Sequence, residues 1–209
     1  MALRAVVFDY GMVLSGPPDP EAHAAMLRIT RLPLDRFESL YWANRPPLDE
    51  GKLTGIAFWQ MFLREAEINL EPGAVEELNN WDARLWTTQN PAMLAWQQQL
   101  KKHGLLTAIL SNMGDNVLAS VEREFDWIRR FDVLVWSYQV HMVKPNPDIY
   151  RYTLAKLGTE PEETLFLDDR AVNIEAARAV GMKALEFSTV ERHREDLIAA
   201  RLDDVLPLP

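Results

Sequence analysis

The chain has 209 residues, of which 48% are hydrophobic and 25% are charged, and its formal net charge is −9. This size and composition are typical of one globular domain, or of one domain with a modest insertion. The acidity disfavours general nucleic-acid binding, which needs a clustered basic surface. The absence of cysteine excludes disulfides and thiolate chemistry.

No apolar run approaches the ~18 residues that a membrane span needs, so we expect no membrane partner. The opening stretch MALRAVVFDYG has only about four apolar residues in a row before its first carboxylate, too few for a secretory signal. We therefore expect a cytoplasmic protein, although a chain without cysteine is also compatible with export. If the substrate is an anion, this acidic chain needs a metal ion or a few well-placed cations at its site.

Five short apolar runs predict buried β-strands, at Arg4–Phe8, Leu105–Leu110, Val133–Trp136, Thr164–Leu167 and Lys183–Phe187. Helical patterns lie between them, at Pro91–His103, Asp115–Phe125, Pro147–Leu157 and Val172–Val180. Asn146 is the expected N-cap of the third of these helices, and Gly158 follows its end. The alternation of continuous apolar strands with helices predicts an α/β fold, a doubly wound parallel sheet with helices on both faces.

Residues 17–89 break this alternation. They contain no clear strand and are rich in amphipathic helical pattern, and three prolines mark the entrance. We predict that they form an α-helical insertion, so that residues 1–16 and 90–209 together form the core domain. Most aromatic side chains of the insertion, namely Tyr41, Trp59, Trp81 and Trp86, are expected to pack between its helices.

Polar side chains follow four of the predicted strands. Ligands of open parallel sheets bind beyond the carboxyl ends of the strands, so these side chains are candidates for one shared site. They are Asp9 after the first strand, Ser111 and Asn112 after the second, Lys144 in the loop after the third, and Asp168 and Asp169 after the fourth.

The chemistry of this set points to phosphoryl transfer. Carboxylates that converge repel one another unless a cation lies among them, and oxygen ligands of this kind suit Mg²⁺. An aspartate can act as a nucleophile and form an aspartyl-phosphate. Lysine, serine and asparagine can hold the phosphoryl oxygens, where charge is stabilised in the transition state.

Four segments of the chain resemble, in order, the four motifs of the haloacid dehalogenase (HAD) superfamily, and in particular its phosphatase branch. They are AVVFDYGMVL, AILSN, MVKPNPDIY and LFLDDRAVNIEAARAVGM. That family also places a helical cap between the first strand and the second motif, so the resemblance spans the whole chain. It implies a Rossmann-like core with an inserted α-helical cap.

The resemblance implies a metal centre. Asp9 matches the nucleophile, which is also a metal ligand, and Asp169 matches the carboxylate that binds Mg²⁺ directly. Asp168 matches the carboxylate that usually acts through a metal-bound water. The backbone carbonyl of Gly11 matches a further ligand, and Asn173 matches a residue that supports the metal shell.

The resemblance also implies a phosphate-binding set. Ser111 matches the hydroxyl that contacts the phosphoryl oxygens, with Asn112 beside it, and Lys144 matches the lysine that steadies nucleophile and phosphoryl group. In the insertion, Trp42 and Arg45 are the residues we expect near the substrate. The predicted partner is a small phosphorylated metabolite, and the predicted state is a monomer or a homodimer.

The first motif departs from the family pattern at Gly11. Most family phosphatases carry there a second aspartate, the general acid and base, a function typically worth ~10²–10⁴-fold in rate. A subgroup of small bacterial phosphatases that act on sugar phosphates such as glucose 1-phosphate shares the Asp-x-Gly form, and its cap resembles LDEGKLTGIAFWQMFL. His141, close to Lys144 in sequence, is either a substitute proton-transfer group or a loop histidine without a role.

The predicted function is therefore Mg²⁺-dependent hydrolysis of a small phosphate ester through an aspartyl-phosphate on Asp9. Two alternatives stay open. A metal-independent 2-haloacid dehalogenase also uses an aspartate nucleophile and also lacks the second aspartate, but the pair Asp168–Asp169 would be an anionic burden there. The other alternative is a catalytically weak binding module that lacks the general acid.

Overall fold

The computed structural model describes residues 2–71 and 73–209. Within these residues the strands form a single sheet of five, in the order β3-β2-β1-β4-β5, and every neighbouring pair is parallel. The strands are β1 (Ala5–Phe8), β2 (Leu106–Ser111), β3 (Val133–Trp136), β4 (Thr164–Asp168) and β5 (Lys183–Glu186). The predicted doubly wound parallel sheet is confirmed, and each strand end lies within one residue of its predicted position.

The α-helices of the described residues are α1 (Pro20–Thr30), α2 (Leu34–Asp49), α3 (Gly55–Glu65), α4 (Ala74–Leu85), α5 (Pro91–Lys102), α6 (Asp115–Glu124), α7 (Ser137–Val140), α8 (Pro147–Leu157), α9 (Ala171–Ala179) and α10 (Val190–Ala199). Helix α8 begins as the sequence predicts, because Asn146 Oδ1 accepts a hydrogen bond of 2.9 Å from Asp148 N. It ends at Gly158, whose φ of +66° is left-handed and suits glycine. None of the helices in this part of the chain is long and apolar enough to cross a membrane.

Both faces of the sheet are buried, which explains why the strands are continuously apolar. In β1, Val6 and Phe8 belong to a core cluster that also contains Trp96 of α5. Ala5 and Val7 belong to a cluster on the opposite face, which includes side chains of α8 and α9. The helices on both faces fix the position of the sheet's carboxyl edge.

Helices α1 to α4 lie between β1 and β2 in the chain and have an apolar core of their own. Its large buried side chains are Phe37, Tyr41, Phe58, Trp59 and Phe62. Entry and exit of the insertion run side by side, since Ser15 and Gln89 form an antiparallel bridge and Gly16 N donates to Thr88 O at 3.2 Å. The helical character of residues 17–89 agrees with the sequence, whereas the division into two domains stays a prediction.

Candidate active site

The carboxyl ends of three central strands meet at one edge of the sheet. Phe8 is in register with Ile109 and with Leu167, so Asp9, Ser111 and Asp168 lie next to one another there. A cleft of about 720 Å³ opens at this edge, and residues from both the sheet and the insertion line it. Parallel pairing therefore brings distant parts of the sequence to one site.

Lys144 is the electrostatic centre of the cleft floor. Its Nζ lies 2.8 Å from Asp9 Oδ1 and 2.6 Å from Asp168 Oδ2, and its side chain is buried. Burial alone would lower the pKa of Lys144, but the two carboxylates outweigh it and raise this pKa above its usual value. The ammonium group therefore stays charged beside Asp9.

Asn112 holds the loop that carries Lys144. Asn112 Nδ2 donates to Lys144 O at 2.9 Å, and Lys144 N donates to Asn112 Oδ1 at 2.8 Å. This two-way pair links the end of β2 to the lysine loop. The side chain of Asn112 is thus engaged in positioning Lys144, while Ser111 is buried at the end of β2 and also lines the cleft.

Three carboxylates converge beside Lys144. Asp9, Asp168 and Asp169 each offer an oxygen within 4.8 Å of the others. Burial raises the pKa of Asp9 and of Asp169, and the Asp168 charge raises both further. Three carboxylates and one ammonium leave two negative charges, which a hard divalent cation with oxygen ligands would neutralise.

Asp168 is the most firmly held of the three. Its Oδ1 accepts from Arg170 N and from Asn173 Nδ2, both at 2.9 Å, and its Oδ2 accepts from Lys144. Asn173 Oδ1 is buried and has no hydrogen-bond partner among the described residues. Both carboxylate oxygens of Asp168 already accept hydrogen bonds. Asp168 is therefore suited to position neighbouring residues, because any role that required a free oxygen would break these bonds.

The turn after Asp9 has an unusual backbone. Asp9 Oδ1 accepts from Tyr10 N at 2.7 Å, and the π-type turn Tyr10–Leu14 follows. Met12 has a left-handed φ of +59°, and its N–H donates to Ser15 Oγ at 3.0 Å. Gly11 has an ordinary φ of −61°, so backbone conformation does not demand glycine at this position.

The insertion supplies the other wall of the cleft. Trp42 and Arg45 line it, at the position the sequence predicts, and their contact with a substrate stays a prediction. Arg45 is buried and largely engaged: its Nε donates to Asp49 Oδ1 at 2.9 Å, and one terminal nitrogen contacts both Asp82 and the Tyr41 hydroxyl.

Sequence reasoning missed several residues of this wall. Trp86 packs against the core of the insertion, as expected, but it also lines the cleft, and a methyl group added at Gly11 would lie 3.8 Å from Trp86 Cζ3. Asp49 of the insertion lines the cleft as well, and so does Met12 from the turn after Asp9. The signal for Trp86 was its position near the exit of the insertion, since the exit runs beside the turn that follows Asp9.

His141 is not among the residues that line the cleft. Its Nδ1 lies 3.0 Å from Glu50 O, so the ring connects the loop after β3 to the end of α2. This position favours a contact between core and insertion over proton transfer.

The model of the haloacid dehalogenase-like hydrolases matches residues 21–181. The chain belongs to this family of enzymes. The match covers most of the sequence and includes the lysine loop and the pair Asp168–Asp169 at the end of β4.

The relatives differ in the activities they are named for. Bifunctional epoxide hydrolase 2 of Rattus norvegicus is 34% identical over 100% of this chain, and the mouse protein is 31% identical over 87%. The chain spans only 41% and 36% of these two proteins. A phosphatase of Mycobacterium tuberculosis is 28% identical over 88% of this chain and 87% of its own. A haloacid dehalogenase of Burkholderia cepacia is 26% identical over 93% and 84%.

Solved structures share the fold. A HAD family enzyme of Bacteroides thetaiotaomicron, in complex with magnesium and inorganic phosphate, has a TM-score of 0.74 and 18% identity, and the match covers 90% of this chain and 95% of that enzyme. At this identity the likeness concerns the fold alone. It agrees with the five-stranded parallel sheet and its surrounding helices.

Proposed function

We propose that this protein is a Mg²⁺-dependent phosphomonoesterase that hydrolyses a small phosphate ester through an aspartyl-phosphate on Asp9. The observation that carries the proposal is the cluster of Asp9, Asp168 and Asp169 within 4.8 Å, paired with a single buried lysine. A site that binds a phosphate dianion beside three carboxylates needs additional positive charge. The phosphatase relative supports this reading.

The donor set fits Mg²⁺. Asp9 and Asp169 would bind the ion, with the Gly11 carbonyl as a further ligand and Asp168 acting through water, which matches the preference of Mg²⁺ for few carboxylates and several waters. The buried, unpartnered Asn173 Oδ1 is suited to accept a hydrogen bond from such a water. When bound, the ion would neutralise charge between the nucleophile and the phosphate.

Different residues of the chain carry out different parts of the proposed reaction. Lys144 and Tyr10 N hold Asp9 Oδ1, and no hydrogen bond from the described residues reaches Oδ2, so Oδ2 is the oxygen suited to attack. The Oδ2–phosphorus bond forms as the bond from phosphorus to the leaving oxygen breaks. Water then attacks phosphorus and returns Asp9 to its carboxylate. Lys144 and Ser111 offer donors to the phosphoryl oxygens.

A haloacid dehalogenase is the second candidate. The absence of a carboxylate at Gly11 and the dehalogenase relative favour it. That reaction needs no metal, however, and it gives no use to the Asp169 carboxylate at the edge of the buried cluster. The cytoplasmic location and the monomeric or homodimeric state remain part of this proposal. The substrate is proposed only as a small phosphate ester, and the sugar phosphates that the family resemblance implies are one candidate class.

The test uses the purified chain with p-nitrophenyl phosphate and Mg²⁺. We expect hydrolysis to be abolished by EDTA and by Asp9→Asn, and restored by Mg²⁺ only in the wild type. Asp203→Asn is the matched control, because Asp203 is exposed and distant in sequence from the motifs. Full activity in EDTA, or chloride release from chloroacetate without any metal, would overturn the proposal.

A further inference from the structure

The space beside Gly11 is open to the cleft. A methyl group at this position would make only an ordinary contact of 3.8 Å with Trp86 Cζ3, and φ there is −61°. Neither crowding nor backbone strain therefore imposes glycine. What the position lacks is a proton donor, and what faces it instead is an indole ring.

Apolar side chains line part of the cleft, alongside its charged groups. Met12, Trp86, Met113 and Val117 all line the cleft, and we call these four residues the apolar wall. Two features fix it in place: Tyr10 Oη donates to Trp86 O at 2.8 Å, and Met12 is held in a left-handed conformation. Such a conformation costs a non-glycine residue of order 1–2 kcal/mol, and it is retained here at the edge of the site.

Three cleft residues that could supply a proton to the leaving group are engaged by other groups. Tyr10 donates its hydroxyl proton to Trp86 O at 2.8 Å. Lys144 is shared between two carboxylates. Asp49 is the one carboxyl group that the insertion adds to the described lining of the cleft, and Arg45 binds it at 2.9 Å.

We propose that the preferred substrates are aryl phosphates, whose aromatic ring packs on the apolar wall and whose leaving oxygen departs without protonation. The proposal rests on the phosphomonoesterase function proposed above. The pKa of a phenol is ~10, as for tyrosine, whereas an alkanol is as weak an acid as water. A phenolate therefore leaves without the help of an acid, and Trp86 with two methionines suits a flat ring.

The reaction balances without a general acid. Asp9 Oδ2 bonds to phosphorus, and the aryl oxygen departs with the bonding electron pair as phenolate. Water then attacks phosphorus, Asp9 leaves as carboxylate, and the phosphate product keeps one proton of the water. The second proton passes to the solvent, where the phenolate takes up a proton.

The experiment measures kcat/KM with Mg²⁺ for phosphates of substituted phenols of increasing pKa, and for benzyl phosphate and glucose 1-phosphate. We expect a steep fall in rate as the leaving-group pKa rises, with the alkyl and sugar esters slower than the aryl esters by ~10²–10⁴-fold. Gly11→Asp should flatten this dependence by raising the rates of the poor leaving groups. Gly11→Asn, of equal size but without an acidic proton, should not.

A second variant tests the wall itself. Trp86→Leu should raise KM for the aryl esters several-fold and leave inhibition by inorganic phosphate unchanged, because inorganic phosphate has no aromatic ring to pack on Trp86. A shallow leaving-group dependence in the wild type that steepens in Asp49→Asn would overturn the proposal, since Asp49 would then be the acid. Equal rates for aryl and sugar phosphates would also overturn it while leaving the phosphatase function intact. Hydrolysis of no ester at all would overturn both.

Discussion

The two walls of the cleft differ in chemistry and in how they are built. The wall formed by the sheet is charged and buried, and it combines Asp9 and Asp168 from two strand ends with Lys144 from the loop before α8 into one hydrogen-bonded unit. The wall formed by the insertion presents Trp42 and Trp86, and its Arg45 is paired with Asp49 and Asp82 of the insertion. The difference indicates that the core determines the reaction and the insertion determines which ester enters.

The largest effect is expected on the side of the sheet, for Lys144→Met. This change leaves two buried carboxylates without their cation, which should destabilise the fold by about 3–5 kcal/mol. It should also lower kcat by ~10²-fold or more, because a donor that stabilises the transition state is lost. Thermal denaturation and p-nitrophenyl phosphate hydrolysis measure the two effects.

Lys102→Met is the matched control, since Lys102 is exposed at the end of α5. It should change neither stability nor activity beyond experimental error. A Lys144→Met protein with wild-type melting temperature and kcat would show that the charged wall is not the reactive one.

A different pattern is expected on the side of the insertion, for Arg45→Met. Arg45 is buried against Asp49 and Asp82, so its loss should destabilise the protein by about 3 kcal/mol. KM should rise while kcat at saturation changes less than it does in Lys144→Met, because Arg45 makes no contact with Asp9 or Lys144. Arg64→Met, on the exposed face of α3, is the control. A kcat loss as large as that of Lys144→Met would remove the distinction between the walls.

The smallest expected effect is a change in stability with pH that arises from a histidine outside the cleft. Measuring it separates the effect of pH on folding from its effect on the active site. His193 is buried with its ring centre 5.0 Å from that of Trp96, and burial lowers the pKa of His193 to about 4. In the unfolded chain the pKa of His193 is ~6.5. The difference in pKa therefore contributes fully to stability above that pH, and the contribution is lost as the pH falls towards 4.

The wild type should therefore lose about 2 kcal/mol of stability between pH 7 and 5 through His193. His193→Phe should remove this part of the pH dependence, and exposed His103→Gln should not. Urea denaturation at several pH values measures it. An unchanged slope in His193→Phe would mean that other groups cause the acid sensitivity.

The sheet side of the site was predictable because local sequence encodes it. Each strand is a short apolar run that ends in a polar residue, and parallel pairing then leaves little freedom in where Asp9, Ser111 and Asp168 lie. The contact of Asn112 with Lys144 was not predictable, because it depends on the path of a loop.

The insertion side was less predictable for a physical reason. Aromatic residues at helical spacing look alike whether they face a core or a cleft, so Trp59 and Trp86 carried the same signal. Only the packing of α1 to α4 separates them: Trp59 is fully buried, and Trp86 reaches the turn after Asp9. The sequence shows that Gly11 lacks a carboxylate, but it does not show that the indole ring of Trp86 faces this position.

The most direct test of the account is to trap the intermediate. The purified protein is mixed with Mg²⁺ and p-nitrophenyl phosphate, quenched in acid during turnover, and digested for mass spectrometry of the peptide that contains Asp9. We predict one phosphoryl group on Asp9, removed by borohydride reduction and absent in Asp9→Asn. Steady turnover with Asp9 unmodified at every quench time, and the label found elsewhere or nowhere, would contradict the account.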